Sequence, residues 1–134
     1  MINSFEDIIA WQKARELDKV IFTLIQNSTI KSDFALKDQM LRSSGSIMDN
    51  IAEGFDRDGN KEFIHFLTIS KGSCSELRSQ LYRAMDRGYI NEENFEEIKN
   101  KSIEVNKIIG GLIKYLGSST IKGNKFKTNN TIKD

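Results

Sequence analysis

Mostly hydrophobic residues recur at intervals of three and four in four separate segments of this chain, and this spacing most constrains its fold. Such a repeat places apolar side chains on one stripe of an α-helix, which has to be buried against other helices. The chain contains no proline, so the strongest helix breaker is missing from every segment. The four stripes are Ala10, Ala14, Leu17, Ile21 and Leu24; Leu36, Met40, Ser43, Ile47, Ile51 and Gly54; Phe63, Leu67, Ser70, Cys74, Leu77, Leu81 and Ala84; and Phe95, Ile98, Ser102, Val105, Ile109, Leu112 and Leu116.

Polar and glycine-containing stretches separate these segments and mark the predicted helix ends. We predict helix one from about residue 5 to 27, helix two after Ser32, helix three after Asn60 with a stop at Gly88, and helix four after Asn91 to Gly117. Four such helices with short linkers predict an all-α fold, an up-down-up-down antiparallel four-helix bundle, over residues 1–117. One long coiled coil is the alternative, and the glycines and asparagines at 54–60 and 88–91 argue against it.

Residues 118–134 have no hydrophobic period and few apolar side chains, so we expect a mobile polar tail after the bundle. They hold four lysines and one aspartate, which leaves 16 basic and 18 acidic side chains in residues 1–117. Residues 1–117 thus carry a small net negative charge, which is unsuited to general binding of polyanions. Nucleic-acid affinity would therefore need a local basic patch, the basic tail, or the summed charge of several subunits in an oligomer. The candidate contacts for such binding are Arg57, Lys61, Lys122, Lys125 and Lys127.

The composition argues against membrane and secreted proteins. Hydrophobic residues make up 38% of the chain, and the mean hydropathy is −0.46. Because no apolar run reaches the length of a membrane span and the N-terminus does not resemble a leader, we expect a soluble protein without a membrane partner. The single cysteine, Cys74, excludes an internal disulfide and favours a cytoplasmic location.

The sequence offers little for catalysis or metal binding. Glu62 and His65 have the Glu-x-x-His spacing of a dimetal site in a helical bundle, but His65 is the only histidine, so one chain cannot complete such a site. Cys74 lies on a core stripe, which is typical of a buried, inert thiol. We therefore expect a protein that is not an enzyme, with no catalytic residues, metal, cofactor or small-molecule substrate.

Polar side chains accompany the apolar stripe in the second half of helix two. Asn50, Glu53 and Arg57 follow one another at i, i+3 and i+7, beside Ile47 and Ile51. Such groups are costly next to an apolar stripe unless they satisfy one another or a partner. Two interpretations stay open: a hydrogen-bond network that fixes the helix register, and direct contact with a partner. The predicted network consists of Arg42, Asn50, Glu53, Arg57, Ser73 and Glu76.

Helices two and three meet at a turn near Asp58, so residues equidistant from it lie at similar heights. This geometry brings Arg42 within reach of Glu76 and predicts a coupled pair. Gly72 in the middle of helix three would cost roughly 1 kcal/mol against alanine. Close approach of the small-residue run 43–46 of helix two is the predicted reason for that glycine.

Helix one has more apolar surface than one core requires. A second stripe contains Ile8, Trp11, Phe22 and Ile25. The stripe either covers the flanks of the bundle or forms an interface between copies of the chain. We predict these four residues as the contacts of a homo-oligomer.

Together these motifs resemble the small four-helix bundle family encoded in intervening sequences of bacterial 23S rRNA genes, whose relatives include accessory variability proteins of diversity-generating retroelements. The resemblance implies a non-enzymatic, homo-oligomeric interaction or scaffold protein, with a ring-like pentamer as the expected assembly. The retroelement relatives bind RNA and a reverse transcriptase, so the alternative is an RNA- or ribonucleoprotein-binding accessory protein. The resemblance spans about residues 5–117 and rests on Phe5-x-x-Ile8-x-x-Trp11-Gln12-Lys13-Ala14, Leu36-x-x-Gln39, Ser46-Ile47-x-x-Asn50-Ile51-Ala52-Glu53-Gly54, Arg57, Glu62-Phe63-x-x-Phe66-Leu67 and Gly72-Ser73-x-x-Glu76-Leu77-x-x-Gln80-Leu81.

Overall fold

A computed structural model of the chain describes residues 2–121, and in this part all regular structure is helical. Each long helix packs against two neighbours in the cyclic order α1–α2–α3–α4–α1, which is the antiparallel four-helix bundle that the sequence predicts. The elements are a 3₁₀ turn at Phe5–Asp7, α1 at Ile9–Gln26, a 3₁₀ turn at Thr29–Ser32, α2 at Phe34–Phe55, α3 at Gly59–Asp86 and α4 at Glu92–Ile121.

Short acidic side chains hold the first 3₁₀ turn and the start of α2. Asp7 accepts hydrogen bonds from the backbone N–H groups of Asn3 and Ser4, at 2.9 and 3.3 Å, and holds the first turn in 3₁₀ form. Ile8 is extended, with φ −81° and ψ 123°, so α1 begins at Ile9 and not at the predicted position 5. Asp33 caps α2 because its Oδ1 accepts from the backbone N–H of Leu36 at 3.2 Å.

Two glycines with positive φ bound α3, at Gly59 (φ 86°) and Gly88 (φ 76°). Gly88 donates to the carbonyl of Met85 at 2.9 Å, which closes the helix at the predicted stop. Gly117, by contrast, does not end α4, which continues to Ile121 because a glycine can remain helical at a modest cost. The predicted boundary between bundle and tail therefore falls inside α4, and residues 122–134 lie outside the described residues.

The four predicted stripes form the core. All of their residues are buried except Leu112, which is half-buried. Two serines of the stripes donate to backbone carbonyls: Ser70 Oγ to that of Ile47 at 2.6 Å, and Ser102 Oγ to that of Lys99 at 2.7 Å. The small side chain of Ser70 thus lets α2 and α3 pack closely while its own buried hydroxyl is paired.

Gly54 marks the point of closest approach between α2 and α3. A Cβ at this position would lie 2.7 Å from the Cβ of Phe66 and 3.0 Å from Cδ1 of Phe63. Around Gly72, where the sequence predicts close approach, a Cβ would meet no atom within 4 Å. The prediction for Gly72 is wrong because this residue lies on the exposed side of α3. The position that needs a glycine for close packing of the two helices is Gly54.

These two glycines give a matched test of the packing. We expect Gly72→Ala to stabilise the protein by about 1 kcal/mol, since alanine is the better helix former and has free space. Gly54→Ala should be less stable than the wild type, because overpacking typically costs about 1 to 3 kcal/mol and offsets the gain in helix propensity. Urea unfolding followed by circular dichroism measures both changes. Equal stabilisation by the two substitutions would show that α2 and α3 do not meet at Gly54.

Candidate functional site

A line of hydrogen-bonded polar side chains runs along the outer junction of α2 and α3. Ser46 Oγ lies 2.8 Å from Ser73 Oγ, and Asn50 Nδ2 donates to Ser46 Oγ at 2.9 Å. One turn further along, Ser43 Oγ donates to Glu76 Oε1 at 3.2 Å. These five residues, which we call the polar seam, bring together Asn50, Ser73 and Glu76 of the predicted network. Each contact joins a short side chain to its neighbour, so the seam can fix the relative height of the two helices.

Arg42 does not belong to the polar seam. Its side chain is exposed and makes no hydrogen bond or ion pair with any described residue. The structure therefore does not contain the predicted pair of Arg42 and Glu76. Arg42 points outward from α2, where its guanidinium stays hydrated, and the shorter Ser43 takes its place as the partner of Glu76.

Glu53 and Arg57 form a separate ion pair at one end of α2. Arg57 Nη2 lies 2.8 Å from Glu53 Oε2, and the guanidinium carbon is 4.9 Å from the ring centroid of Phe66. Both charged side chains are about half exposed, so the pair contributes less than about 1 kcal/mol. Arg57 is thus already engaged within its own chain. Lys61 lies exposed in the first turn of α3, whereas Lys122, Lys125 and Lys127 lie outside the described residues.

Coupling energies can separate the observed partner of Glu76 from the predicted one. In a double-mutant cycle we expect Ser43→Ala and Glu76→Ala to show coupling of about 1 kcal/mol, because one hydrogen bond joins them. The cycle of Arg42→Ala with Glu76→Ala should be additive. Chemical unfolding of the six proteins measures both cycles. Strong coupling in the arginine cycle would restore the ion pair predicted from the sequence.

A second polar cluster, at the opposite end of α2, was not predicted. Asp33 Oδ2 accepts from Tyr89 Oη and from Arg87 Nη1, both at 2.8 Å, while its other oxygen caps α2. The Tyr89 hydroxyl, together with the Leu36 N–H and the Arg87 guanidinium, lowers the pKa of Asp33 below its ordinary value of 3.8. The same hydrogen bond raises the pKa of Tyr89. The sequence gives no sign that Asp33 has partners 54 and 56 residues away.

This cluster should give the protein a defined acid response. A carboxylate whose folded pKa is lowered stabilises the fold above its unfolded pKa, and that contribution is lost as the pH falls through the folded value. We expect Asp33→Asn to be less stable than the wild type at pH 7, with the difference shrinking below about pH 4. Thermal unfolding from pH 2 to pH 7 measures it, with Asp38→Asn, an exposed acid on α2, as the control. A constant difference at all pH values would show that the cluster does not act through the Asp33 charge.

The predicted oligomer stripe of helix one divides into two pairs. Ile8 and Ile25 are only 2% and 1% exposed and belong to the core of the single chain, so neither lies on an exposed outer stripe of helix one as predicted. The extended backbone at Ile8 turns its side chain inward, and Ile25 lies one turn after the buried Ile21. Trp11 is half-buried against the ring of Phe5, with centroids 5.0 Å apart, and Phe22 is 52% exposed.

An uncharged stripe on α2 lies next to Trp11 and Phe22, and the sequence analysis missed it. Ser44 of α2 donates a hydrogen bond to Asp18 of α1, which fixes the junction of these two helices. Phe22 lies one turn after Asp18 on α1, and Leu41 and Met48 lie one turn before and after Ser44 on α2. The signal in the sequence was the period i, i+4, i+7 and i+11 of small and apolar residues. We call this surface, which is half-buried apart from Phe22, the α1–α2 face: Trp11, Phe22, Leu41, Gly45, Met48 and Ala52.

A second apolar surface lies at the junction of α1 and α4. A groove of about 250 Å³ opens beside Ile9, which is 46% exposed, and Leu112, which is half-buried. It is the apolar part of the least extensive helix junction in the bundle. We call it the α1–α4 groove; its lining is Ile8, Ile9, Ala10, Ile108, Gly111, Leu112 and Tyr115.

His65 and Cys74, the candidates for chemistry in the sequence, lie in unlike surroundings, one exposed and the other buried. His65 is exposed, and its ring lies 5.4 Å from that of Phe66. Within residues 2–121 there is no group of three or more histidine, cysteine or acidic side chains placed to hold a metal ion. Burial raises the pKa of the Cys74 thiol to about 11, so thiolate is scarce at neutral pH. In the same part of the chain, no helix has the length and apolar character needed to span a membrane.

Comparisons with known proteins agree with this fold. A family model described as 23S rRNA-intervening sequence protein matches residues 6–111. A crystal structure from Bacteroides thetaiotaomicron, of a protein with unknown function from the S23 ribosomal protein family, superposes with a TM-score of 0.72 at 29% identity. The match covers 79% of this chain and 99% of that one. No curated protein matches the chain.

Proposed function

The chain belongs to the 23S rRNA-intervening sequence protein family, and we propose that it is a non-enzymatic interaction protein that assembles with copies of itself through the α1–α2 face. The family's description names no reaction, and the described residues offer two apolar surfaces for packing. Self-association accounts best for apolar side chains that the core of one chain does not need.

The observation that carries this proposal is the uncharged stripe of α2 beside the exposed ring of Phe22. Leu41, Gly45, Met48 and Ala52 extend over three helical turns without a charged residue, and each is only half-buried. At its centre, a Cβ on Gly45 would meet no atom within 4 Å. A helix from another subunit can therefore approach the backbone of α2 closely.

A ring is the assembly that fits two different apolar surfaces on one subunit. A closed ring of more than two subunits uses head-to-tail contacts, in which each subunit presents two unlike surfaces. The α1–α2 face and the α1–α4 groove meet this requirement, because they lie on the two flanks of α1. We propose that the face of one subunit packs on the groove of the next, in a ring-like pentamer.

The exposure of Phe22 makes it the sharper probe of this assembly, because Trp11 also packs on Phe5 within its own chain. Phe22→Glu should convert the oligomer into a folded monomer of about 15.3 kDa, since ring closure would bury the new charge. Phe34→Glu is the matched control: Phe34 is 70% exposed and lies outside both surfaces, so its assembly should equal that of the wild type. Light scattering after size exclusion measures the mass, and circular dichroism checks helicity.

A second variant on the other helix guards against a local effect of Phe22→Glu. Gly45→Glu has free space in the single chain and should also yield a helical monomer. A wild-type protein that is monomeric at micromolar concentration would refute self-association. Dissociation by Phe34→Glu but by neither face variant would show that the copies meet elsewhere.

A further inference from the structure

A row of basic side chains without acidic partners runs along the outer junction of α3 and α4, on the side of the bundle opposite the α1–α2 face. Its centre is Lys71, whose Nζ lies 3.5 Å from where a Cβ on Gly110 of α4 would be. The absence of a side chain at Gly110 thus leaves room for Lys71 to lie across α4. On α4, Lys107 and Lys114 stand one turn before and one turn after Gly110, so both are on the same side of the helix.

Arg78 extends the row along α3. Lys71 and Arg78 stand one turn before and one turn after Cys74, whose thiol donates to the carbonyl of Ser102 on α4 at 3.0 Å, so they follow the same junction. Both are half-buried, and both positive charges act on the Cys74 thiol. Along each helix the two cations are seven residues, or about 10 Å, apart. We call Lys71, Arg78, Lys107 and Lys114 the basic strip.

The charge of the basic strip is not compensated within the described residues. None of its four cations takes part in an ion pair there, whereas Lys99, which lies nearby, is paired with Glu96 at 3.3 Å. The acidic residue next to the strip on α4 is Glu104, which lines one shallow hollow together with Lys107 and Lys101 and forms an ion pair with neither. A nearly neutral chain therefore has a concentrated positive surface, which its net charge of +1 conceals.

We propose that the basic strip binds the phosphate backbone of single-stranded nucleic acid. The four cations are spread over two turns of two helices, so they fit an extended polyanion better than one compact phosphate or carboxylate. Tyr82, one turn beyond Arg78, is 44% exposed and packs edge-on against Phe95 with ring centroids 4.7 Å apart. An exposed ring at the end of a cationic row offers a stacking surface for an unpaired base.

An anionic membrane is a poorer fit to the same charges. Binding at a bilayer surface combines cations with apolar side chains that enter the lipid. Of the large exposed hydrophobic side chains in the described residues, Ile9, Phe22, Phe34 and Ile69 lie on other sides of the bundle, and Tyr82 alone adjoins the strip. In the proposed ring, the basic strip of each subunit would lie on the side opposite its α1–α2 face. Assembly would therefore present one copy of the strip per subunit.

The test is binding of a fluorescent 20-nucleotide oligouridine to the full chain at several salt concentrations. Lys107→Gln/Lys114→Gln should reduce the slope of log affinity against log salt by about 1.4, and weaken binding about 25-fold at 100 mM salt. The control Lys19→Gln/Lys31→Gln removes the same charge from exposed sites outside the strip and should bind like the wild type. Tyr82→Leu should weaken binding roughly fivefold or more without changing the salt slope.

Three results would overturn the proposal. The first is the absence of oligouridine binding by the wild type at 50 mM salt. The second is an equal effect of the two lysine pairs, which would show that only net charge matters. The third is capture of the protein by phosphatidylserine vesicles without binding to oligouridine, which would assign the strip to membranes. Circular dichroism of each variant ensures that a loss of binding is not a loss of fold.

Discussion

The close contact of α2 with α3 is the constraint on which the rest of the structure depends. Gly54 lets the two helices meet beside Phe63 and Phe66, and small hydroxyl side chains keep them close for the remaining turns. Because this junction is filled by short groups, α2 has little side-chain volume on its α3 flank. Its larger apolar residues, Leu41 and Met48, lie on the other flank and are incompletely covered by α1. Tight packing on one side of α2 thus leaves an uncovered surface on the other.

The sequence predicted the fold and the core well because one physical rule governs both. A strict period of apolar residues can be satisfied only by burying each stripe, and the stripe residues are buried in the structure. The predicted helix ends were less accurate, since Gly117 stays helical and Ile8 is extended. Helix ends depend on local hydrogen bonds and not on the hydrophobic period. Ile8 and Ile25 were assigned to the outer surface for a related reason. The assignment assumed ideal helical geometry, which does not hold at Ile8. It also assumed that only residues spaced by three and four enter the core, whereas Ile25 lies beside that stripe and is buried as well.

The candidate surfaces were harder to predict than the core. Residues equidistant from the turn between α2 and α3 lie at similar heights, which places Ser43 and Glu76 near each other. That geometry does not decide whether Ser43 or the neighbouring Arg42 is the partner of Glu76. The basic strip was hidden for a different reason. Lys71, Arg78, Lys107 and Lys114 belong to two helices, and charge counts along the chain mix them with the acids that lie between them in sequence. Only the packing of α3 on α4, with Gly110 beneath Lys71, brings these cations together.

The Asp33 cluster has a consequence for the order in which the bundle forms and comes apart. Its contacts join residues 54 and 56 positions apart, whereas α2 and α3 are joined by a turn of three residues. Closing a short loop costs less chain entropy than closing a long one, so pairing of α2 with α3 starts most readily at their turn, and the end of the hairpin that holds Asp33 and Tyr89 pairs last. A contact made after the folding barrier governs the rate of unfolding more than the rate of folding. We therefore expect Asp33 to act as a latch, which slows unfolding more than it speeds folding.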